Sequence, residues 1–117
     1  MKAIAVVTTL GSRADAERLA HTLVERRLAA CAQISEIFSV YRWKDAVQQE
    51  PEFRLLLKTT DALYPAIEQA IGELHPYELP AIHAFALEHV YPAYAAWIEE
   101  NVSSERPPVI PSEARDP

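Results

Sequence analysis

The chain has 117 residues, half of them hydrophobic, which favours a single domain with a buried core. Its net charge of −6 comes without a cluster of lysine and arginine, which argues against nucleic-acid binding. The N-terminus lacks the features of a secretory signal, and no apolar run approaches the roughly 20 residues of a membrane span. With Cys31 as its one cysteine it can form no internal disulfide, so we expect a soluble protein of the reducing cytoplasm.

The chain begins with a predicted strand and helix. Residues 2–9 are rich in isoleucine, valine and threonine, which is typical of a buried strand. Ser12, followed three residues later by Asp15, is a helix-capping pattern. Apolar residues then recur at helical spacing, which predicts a helix as far as about Arg27.

Two long strands are predicted next, over residues 30–43 and 46–60, joined by a turn at Lys44 and Asp45. Each strand is roughly 46 Å long at ~3.3 Å per residue, against roughly 26 Å for the first strand. The excess length should project beyond a short sheet, carrying Val40, Tyr41, Trp43 and Val47. An unsupported ribbon with exposed aromatic residues is marginal in water, so this pattern predicts that the chain associates with copies of itself.

Two features of this region leave alternatives open. Pro51 cannot donate a ladder hydrogen bond, so it should mark either a bulge or a sheet edge. The alternative to a long ribbon is that part of residues 44–52 forms a loop and the two strands are shorter. In that case the argument for self-association disappears.

The second half predicts a helix, a strand and a short helix. The first of these helices should open near Asp61 as its N-cap and end at Pro76. Residues 82–90 have strand character, and a short helix is predicted over residues 93–101.

The order of these elements, βαββαβ, is that of a ferredoxin-like α+β sandwich. It predicts an antiparallel sheet with two helices on one face, a long hairpin between the second and third strands, and a short C-terminal helix. Residues 1–102 should form one domain. Residues 103–117 are rich in proline and have no periodicity, which predicts a disordered tail.

Few residues suggest chemistry, and no enzyme motif is present: the sequence lacks a Gly-rich phosphate loop, H-E-x-x-H, C-x-x-C and G-x-S-x-G. We therefore predict a protein that is not an enzyme. Cys31 suits a soft metal as a thiolate, or a small buried hydrophobic position. His75 either interacts with a helix C-terminus or, with Glu78, forms a His/carboxylate metal site.

Several stretches together resemble one known family, the CutA divalent-cation tolerance proteins, over residues 3–101. The matching stretches, in chain order, are VVTT (6–9), AERLAHTLVERRLAAC (16–31), SVYRW (39–43), LLLKT (55–59), ELHPYELPAI (73–82) and YPAYAAWI (91–98). The resemblance implies a ferredoxin-like homotrimer whose long hairpin reaches neighbouring subunits. It also implies a role in tolerance of divalent metals, copper especially, and a likeness to trimeric PII-type signalling proteins.

The metal ligands carry over only in part. Ligands proposed for one branch of the family are a first-strand cysteine and a His-His pair, where this chain has Thr8 and then Leu74 with His75. The resemblance retains only His75 of these ligands, and Cys31 matches a cysteine that is common in the family. Together with Glu78, which is near His75 in the sequence, they are the predicted divalent-metal ligands, acting weakly or at subunit contacts.

Two functions follow as hypotheses from the resemblance. The first is a homotrimeric copper-binding or metal-tolerance protein. The second is a PII-like sensory or adaptor trimer that binds a small molecule or a protein between subunits. The second would be favoured by a cleft lined by aromatic and basic side chains, namely Trp43, Lys58, Tyr77 or Trp97.

Overall fold

The computed structural model describes residues 2–103, so residues 104–117 of the predicted tail lie outside the described part. The domain boundary at residue 102 stays a prediction.

The elements are β1 (Ala3–Leu10), α1 (Arg13–Glu25), β2 (Cys31–Trp43), β3 (Ala46–Thr60), a 3-10 helix (Asp61–Leu63), α2 (Tyr64–Leu74), β4 (Ile82–Ala86) and α3 (Pro92–Glu100). Within the described residues, the strands form one antiparallel sheet in the order β2-β3-β1-β4. The predicted α+β fold is confirmed.

One face of the sheet forms the core with α1 and α2. Because side chains alternate along a strand, every second residue of β1 and β3 points to this face. The core residues contributed by these two strands are Ile4, Val6, Leu10, Leu55 and Leu57. The two helices cover them with Ala16, Leu19, Ala20, Leu23, Ile67, Ala70 and Ile71. Burial of this apolar surface is the main force that holds the helices to the sheet.

The predicted cap of α1 is present. The hydroxyl of Ser12 accepts a hydrogen bond from the backbone N–H of Asp15 at 3.1 Å. This bond satisfies one of the N–H groups that the first helical turn leaves without a partner. It fixes the start of α1 directly after the end of β1.

The short helix α3 lies against the opposite face of the sheet. Its Tyr94 contacts Cys31 and Lys58, which are register partners on β2 and β3. Its end is held by Arg27, whose guanidinium donates to the carbonyl of Glu100 at 2.8 Å. The C-terminal part of the described chain is therefore tied to the turn after α1.

The hairpin of β2 and β3 projects beyond the rest of the sheet. Its pairing runs without interruption from Cys31 opposite Lys58 to Trp43 opposite Ala46. Strand β1 pairs with β3 only as far as Phe53, so residues 46–52 have β2 as their one sheet neighbour within the described chain. The predicted overhang is thus a true ribbon, and its residues are in strands rather than in a loop.

Apolar side chains on this ribbon are open to solvent. Phe38, Val40 and Val47 are exposed by 65%, 62% and 65%. Tyr41 is also exposed, whereas Trp43 is half-buried. A ribbon of this kind is poorly stabilised alone, because Phe38, Val40 and Val47 share one of its faces and nothing in the described chain covers them.

Pro51 marks an edge rather than a bulge. It stands opposite Phe38 in a register without an extra residue on either strand. It lies in the part of β3 that β1 does not reach. The missing N–H of proline is tolerated there because no strand of the described chain needs it as a donor.

Two predicted boundaries are wrong. Strand β4 ends at Ala86 rather than at residue 90, because its neighbour β1 begins at Ala3 and offers no partner beyond that point. Asp61 is not the N-cap of α2, since a 3-10 helix precedes that helix. Its carboxylate instead accepts a hydrogen bond from the backbone N–H of Lys2 at 3.3 Å.

Asp45→Gly should stabilise the hairpin turn. Lys44 and Asp45 have φ angles of 51° and 68°, in the left-handed region that disfavours residues with a Cβ. We expect the free energy of unfolding in urea to rise by about 1 kcal/mol at constant protein concentration. Asp45→Ala is the control, because it retains the Cβ; an equal gain from alanine would contradict this explanation.

Candidate functional site

His75, the first predicted metal ligand, is buried and engaged at both ring nitrogens. Its Nδ1 accepts a hydrogen bond from the backbone N–H of Tyr77 at 3.1 Å. Its Nε2 lies 2.7 Å from the carbonyl oxygen of Thr9. Because a carbonyl can only accept, Nε2 carries the proton and donates. In this arrangement the imidazole is neutral and holds the chain after α2 against the end of β1.

Cys31 and Glu78 lie in other surroundings. The Sγ of Cys31 is half-buried and lies 3.6 Å from the hydroxyl of Tyr94. Glu78 is exposed and forms a long ion pair with Lys44 at 3.9 Å. Such exposed pairs contribute little to stability, so the Glu78 carboxylate remains available to other partners.

A single chain does not bring the three predicted ligands together. His75 lies beside Thr9, whereas Cys31 is level with Ala5 across the sheet. Four residues along β1 separate these positions by roughly 13 Å. Within residues 2–103, no group of three His, Cys, Asp or Glu side chains could hold a metal ion. The donors of one chain therefore do not fit a metal centre, and the three assignments stay predictions.

The position of the missing first-strand cysteine is occupied by a core residue. Thr8 is fully buried, and its Oγ1 has no hydrogen-bond partner among the described residues. A hydroxyl is a poor ligand for a soft metal. Thr8 thus acts as a small core side chain.

A buried carboxylate was not predicted from the sequence. Glu52 is 6% exposed and accepts a hydrogen bond from the hydroxyl of Tyr77 at 2.6 Å. Burial, followed by this bond and the charge of Glu52, raises the pKa of Tyr77 well above its ordinary value. On the same face of the ribbon, Tyr41 donates to Glu50. Residues 50 and 52 are two positions apart on β3, so their side chains point to the same face. This spacing was the one sequence signal for the acidic pair.

A second cluster surrounds Lys58 on the face that carries α3. Its ammonium donates to Gln33 Oε1 at 3.2 Å and to the Tyr94 hydroxyl at 3.5 Å, and lies 5.5 Å from the Tyr94 ring centre. Trp97 stacks on Tyr94 with ring centres 5.7 Å apart. The contact with Cys31, then burial, raises the pKa of Tyr94, and the Lys58 ammonium opposes this rise.

The aromatic cleft considered from the sequence is only partly formed within one chain. Lys58 and Trp97 share the cluster around Tyr94. Trp43 instead lies at the tip of the hairpin, where the Lys44 ammonium is 5.6 Å from its ring centre. Tyr77 lies at the end of β1 with Glu52. One chain therefore presents separate polar-aromatic clusters rather than a closed ligand cleft.

The fold and these clusters define a class of α+β sandwich proteins with a projecting hairpin, and comparisons with known proteins identify the family. Residues 4–101 match the family described as CutA1 divalent ion tolerance protein. A cutA homolog of Encephalitozoon cuniculi is 41% identical over 98 residues, covering 84% of this chain and 86% of the homolog. The chain belongs to the CutA divalent-cation tolerance family.

Solved structures agree with this assignment. The divalent cation tolerance protein of Thermus thermophilus superposes with a TM-score of 0.83 at 36% identity, covering 86% of this chain and 99% of that one. A CutA from Archaeoglobus fulgidus, described as periplasmic, gives a TM-score of 0.84 at 30% identity, covering 86% and 99%. Among residues 2–103 of the present chain, none of the helices has the length and apolarity needed to cross a membrane.

Tyr77→Phe should change both stability and its pH dependence. The variant leaves the buried Glu52 carboxylate without this donor, which should cost about 1–3 kcal/mol at neutral pH. The raised pKa of Tyr77 means that the folded state holds the phenol proton more tightly than the unfolded chain does. This stabilisation is complete below pH ~10 and is lost as the pH rises through the folded pKa.

Urea unfolding between pH 7 and 11 measures both effects. The free energy of unfolding of the unaltered protein should fall more steeply above pH 10 than that of Tyr77→Phe. Tyr91→Phe is the control, because Tyr91 is 76% exposed. Parallel pH profiles for the protein and Tyr77→Phe would show that Tyr77 does not carry this dependence.

Proposed function

We propose that this chain acts in tolerance of divalent metal ions, copper especially, as a homotrimer that catalyses no reaction. Membership of the CutA family supports the role in metal tolerance. Several relatives are named for divalent-cation tolerance and not for an enzymatic activity. A cytoplasmic location is part of this proposal, and the single cysteine is compatible with a reducing compartment.

The observation that carries the proposed assembly is the projecting hairpin. Its pairing is regular to the last residue before the turn, yet Phe38, Val40 and Val47 are exposed on it. A second copy that covers these side chains would supply the burial that the ribbon lacks in one chain. The number three comes from the resemblance to the family.

Assembly also bears on the proposed metal site. Because His75, Cys31 and Glu78 are apart within one chain, an ion held by them would take donors from more than one subunit. A threefold axis repeats each donor, so a sparse set could become sufficient. Of the three, Glu78 is exposed, whereas His75 would have to give up one of its two hydrogen bonds to bind a metal.

The second function remains a sensory or adaptor trimer. The specific observation in its favour is the cluster of Lys58, Gln33, Tyr94 and Trp97, which combines an ammonium, an amide and stacked rings. Trp97 is 41% exposed, so the edge of this cluster is open to a ligand or a neighbouring subunit. Such groups recognise an anionic or aromatic small molecule better than they recognise a metal cation.

Substituting glutamate on the hairpin should dissociate the trimer. In Val40→Glu/Val47→Glu, two buried charges would be placed in the proposed subunit contact, each without a partner. Native mass spectrometry and sedimentation should show a trimer for the unaltered chain and smaller species for this variant. Ala14→Glu, on the exposed side of α1, is the charge control. A monomeric unaltered chain at micromolar concentration would contradict the proposal.

Titration with Cu(II) and Zn(II) tests the metal assignment. We expect His75→Ala, Cys31→Ala and Glu78→Ala to weaken binding of at least one ion by about tenfold or more, because each removes a donor. His83→Ala is the control, since His83 is an exposed histidine on β4. Equal affinities in all variants would reject these ligands. The tolerance role would then be tested separately by comparing growth on copper of a strain that lacks the gene with growth of the same strain after the gene is restored.

A further inference from the structure

A cavity in the helical layer is used by neither of the clusters above. It has a volume of about 290 Å³ and lies between α1 and the chain that follows α2. Its apolar lining consists of Leu10, Leu19, Leu74 and Pro76. Leu10 and Leu19 are almost fully buried and form its floor, whereas Leu74 is 42% exposed at its edge. The cavity is therefore an open apolar cleft rather than an internal void.

The polar part of the lining comes from one face of α1. Asp15, Arg18 and Thr22 follow each other at helical spacing of three and four residues. The guanidinium of Arg18 is paired with the carboxylate of Asp15. The hydroxyl of Thr22 donates to the carbonyl of Arg18 at 2.9 Å, so its oxygen can still accept a hydrogen bond. One edge of an apolar cleft thus carries a cation and an anion side by side.

We propose that this cleft binds the zwitterion of a small apolar α-amino acid. The carboxylate of the ligand lies on the Arg18 guanidinium, and its ammonium lies on Asp15 with Thr22 as a further acceptor. Its side chain lies against Leu74 and Pro76, above the floor of Leu10 and Leu19. The proposal goes beyond metal tolerance and stands on residues other than the predicted metal ligands.

Charge complementarity selects this class of ligand. A simple anion that reaches Arg18 also meets the like charge of Asp15, and a simple cation that reaches Asp15 meets Arg18. An α-amino acid satisfies both, because its opposite charges are attached to one carbon atom. The Asp15–Arg18 pair is partly exposed, so exchanging it for two ligand contacts costs little.

Size and polarity restrict the ligand further. A volume of about 290 Å³ is at the lower end for small-molecule sites, which suits an amino acid better than a nucleotide or another large cofactor. The apolar floor favours leucine, isoleucine, valine or methionine over polar amino acids, because burying a polar side chain there would leave it without partners.

Calorimetric titration of the full chain with L-leucine and two analogues tests the proposal. Leucinamide lacks the carboxylate, and 4-methylpentanoate lacks the ammonium. We expect saturable binding of leucine and affinities about tenfold or more lower for each analogue, because each loses a charged hydrogen-bond partner. Absence of saturable leucine binding, or equal affinity for leucine and either analogue, overturns the proposal.

Two variants test which protein group meets which charge. Arg18→Gln should abolish the preference for leucine over leucinamide, and Asp15→Asn should abolish the preference for leucine over 4-methylpentanoate. Glu25→Gln, an exposed change on the same helix and outside the cavity, is the charge control and should bind like the unaltered chain. Preferences that persist in both variants overturn the assignment.

The result of the leucine-binding tests can be separated from the result of the metal-binding tests of the proposed function. Neither variant alters His75, Cys31 or Glu78, so copper titration of Arg18→Gln should match that of the unaltered chain. Unchanged thermal unfolding of both variants shows that a loss of leucine binding is not a loss of fold. Failure of leucine binding leaves the metal proposal standing, and failure of copper binding leaves the leucine proposal standing.

Discussion

The length difference between β1 and β3 is the constraint on which most features of this chain depend. Strand β1 stops at Leu10 opposite Phe53, and β3 continues outward without that neighbour. The next residue of β3 is Glu52, which accepts a hydrogen bond from the Tyr77 hydroxyl close to Gly11, the residue that follows β1. The same termination leaves the outer hairpin exposed. One short strand therefore creates both a buried phenol–carboxylate pair and a surface suited to self-association.

Much of the fold could be predicted from the sequence, because it depends on local patterns. The β-branched run of the first strand, the cap formed by Ser12 and Asp15, and the long hairpin were all predicted, and the structure has them. The end of β4 was not predictable in this way. Residues 87–90 have strand character, but a strand ends where its neighbour ends, and that limit is set by the start of β1 at Ala3.

The candidate site was less predictable because its partners are distant in sequence. The chemical type of His75 was evident, but its partner Thr9 is 66 residues away, and a backbone carbonyl carries no sequence signal. The Tyr77–Glu52 bond spans 25 residues and requires the register of β1 with β3. Likewise, neither Asp15 nor Arg18 indicates a cleft until α2 is placed beside α1. Types of residue could be recognised from the sequence, but not their grouping.

The two-residue turn at Lys44 and Asp45 also affects how the chain folds. Pairing of β2 with β3 begins with residues that are three positions apart, Trp43 and Ala46, and can close progressively from the turn. Pairing of β1 with β3 joins residues as distant as Ala3 and Thr60, so it requires a much larger loss of chain entropy. We therefore expect the ribbon to form before the core closes around it. In a newly synthesised polypeptide, the hairpin surface through which we propose that copies associate would precede the domain that later supports it.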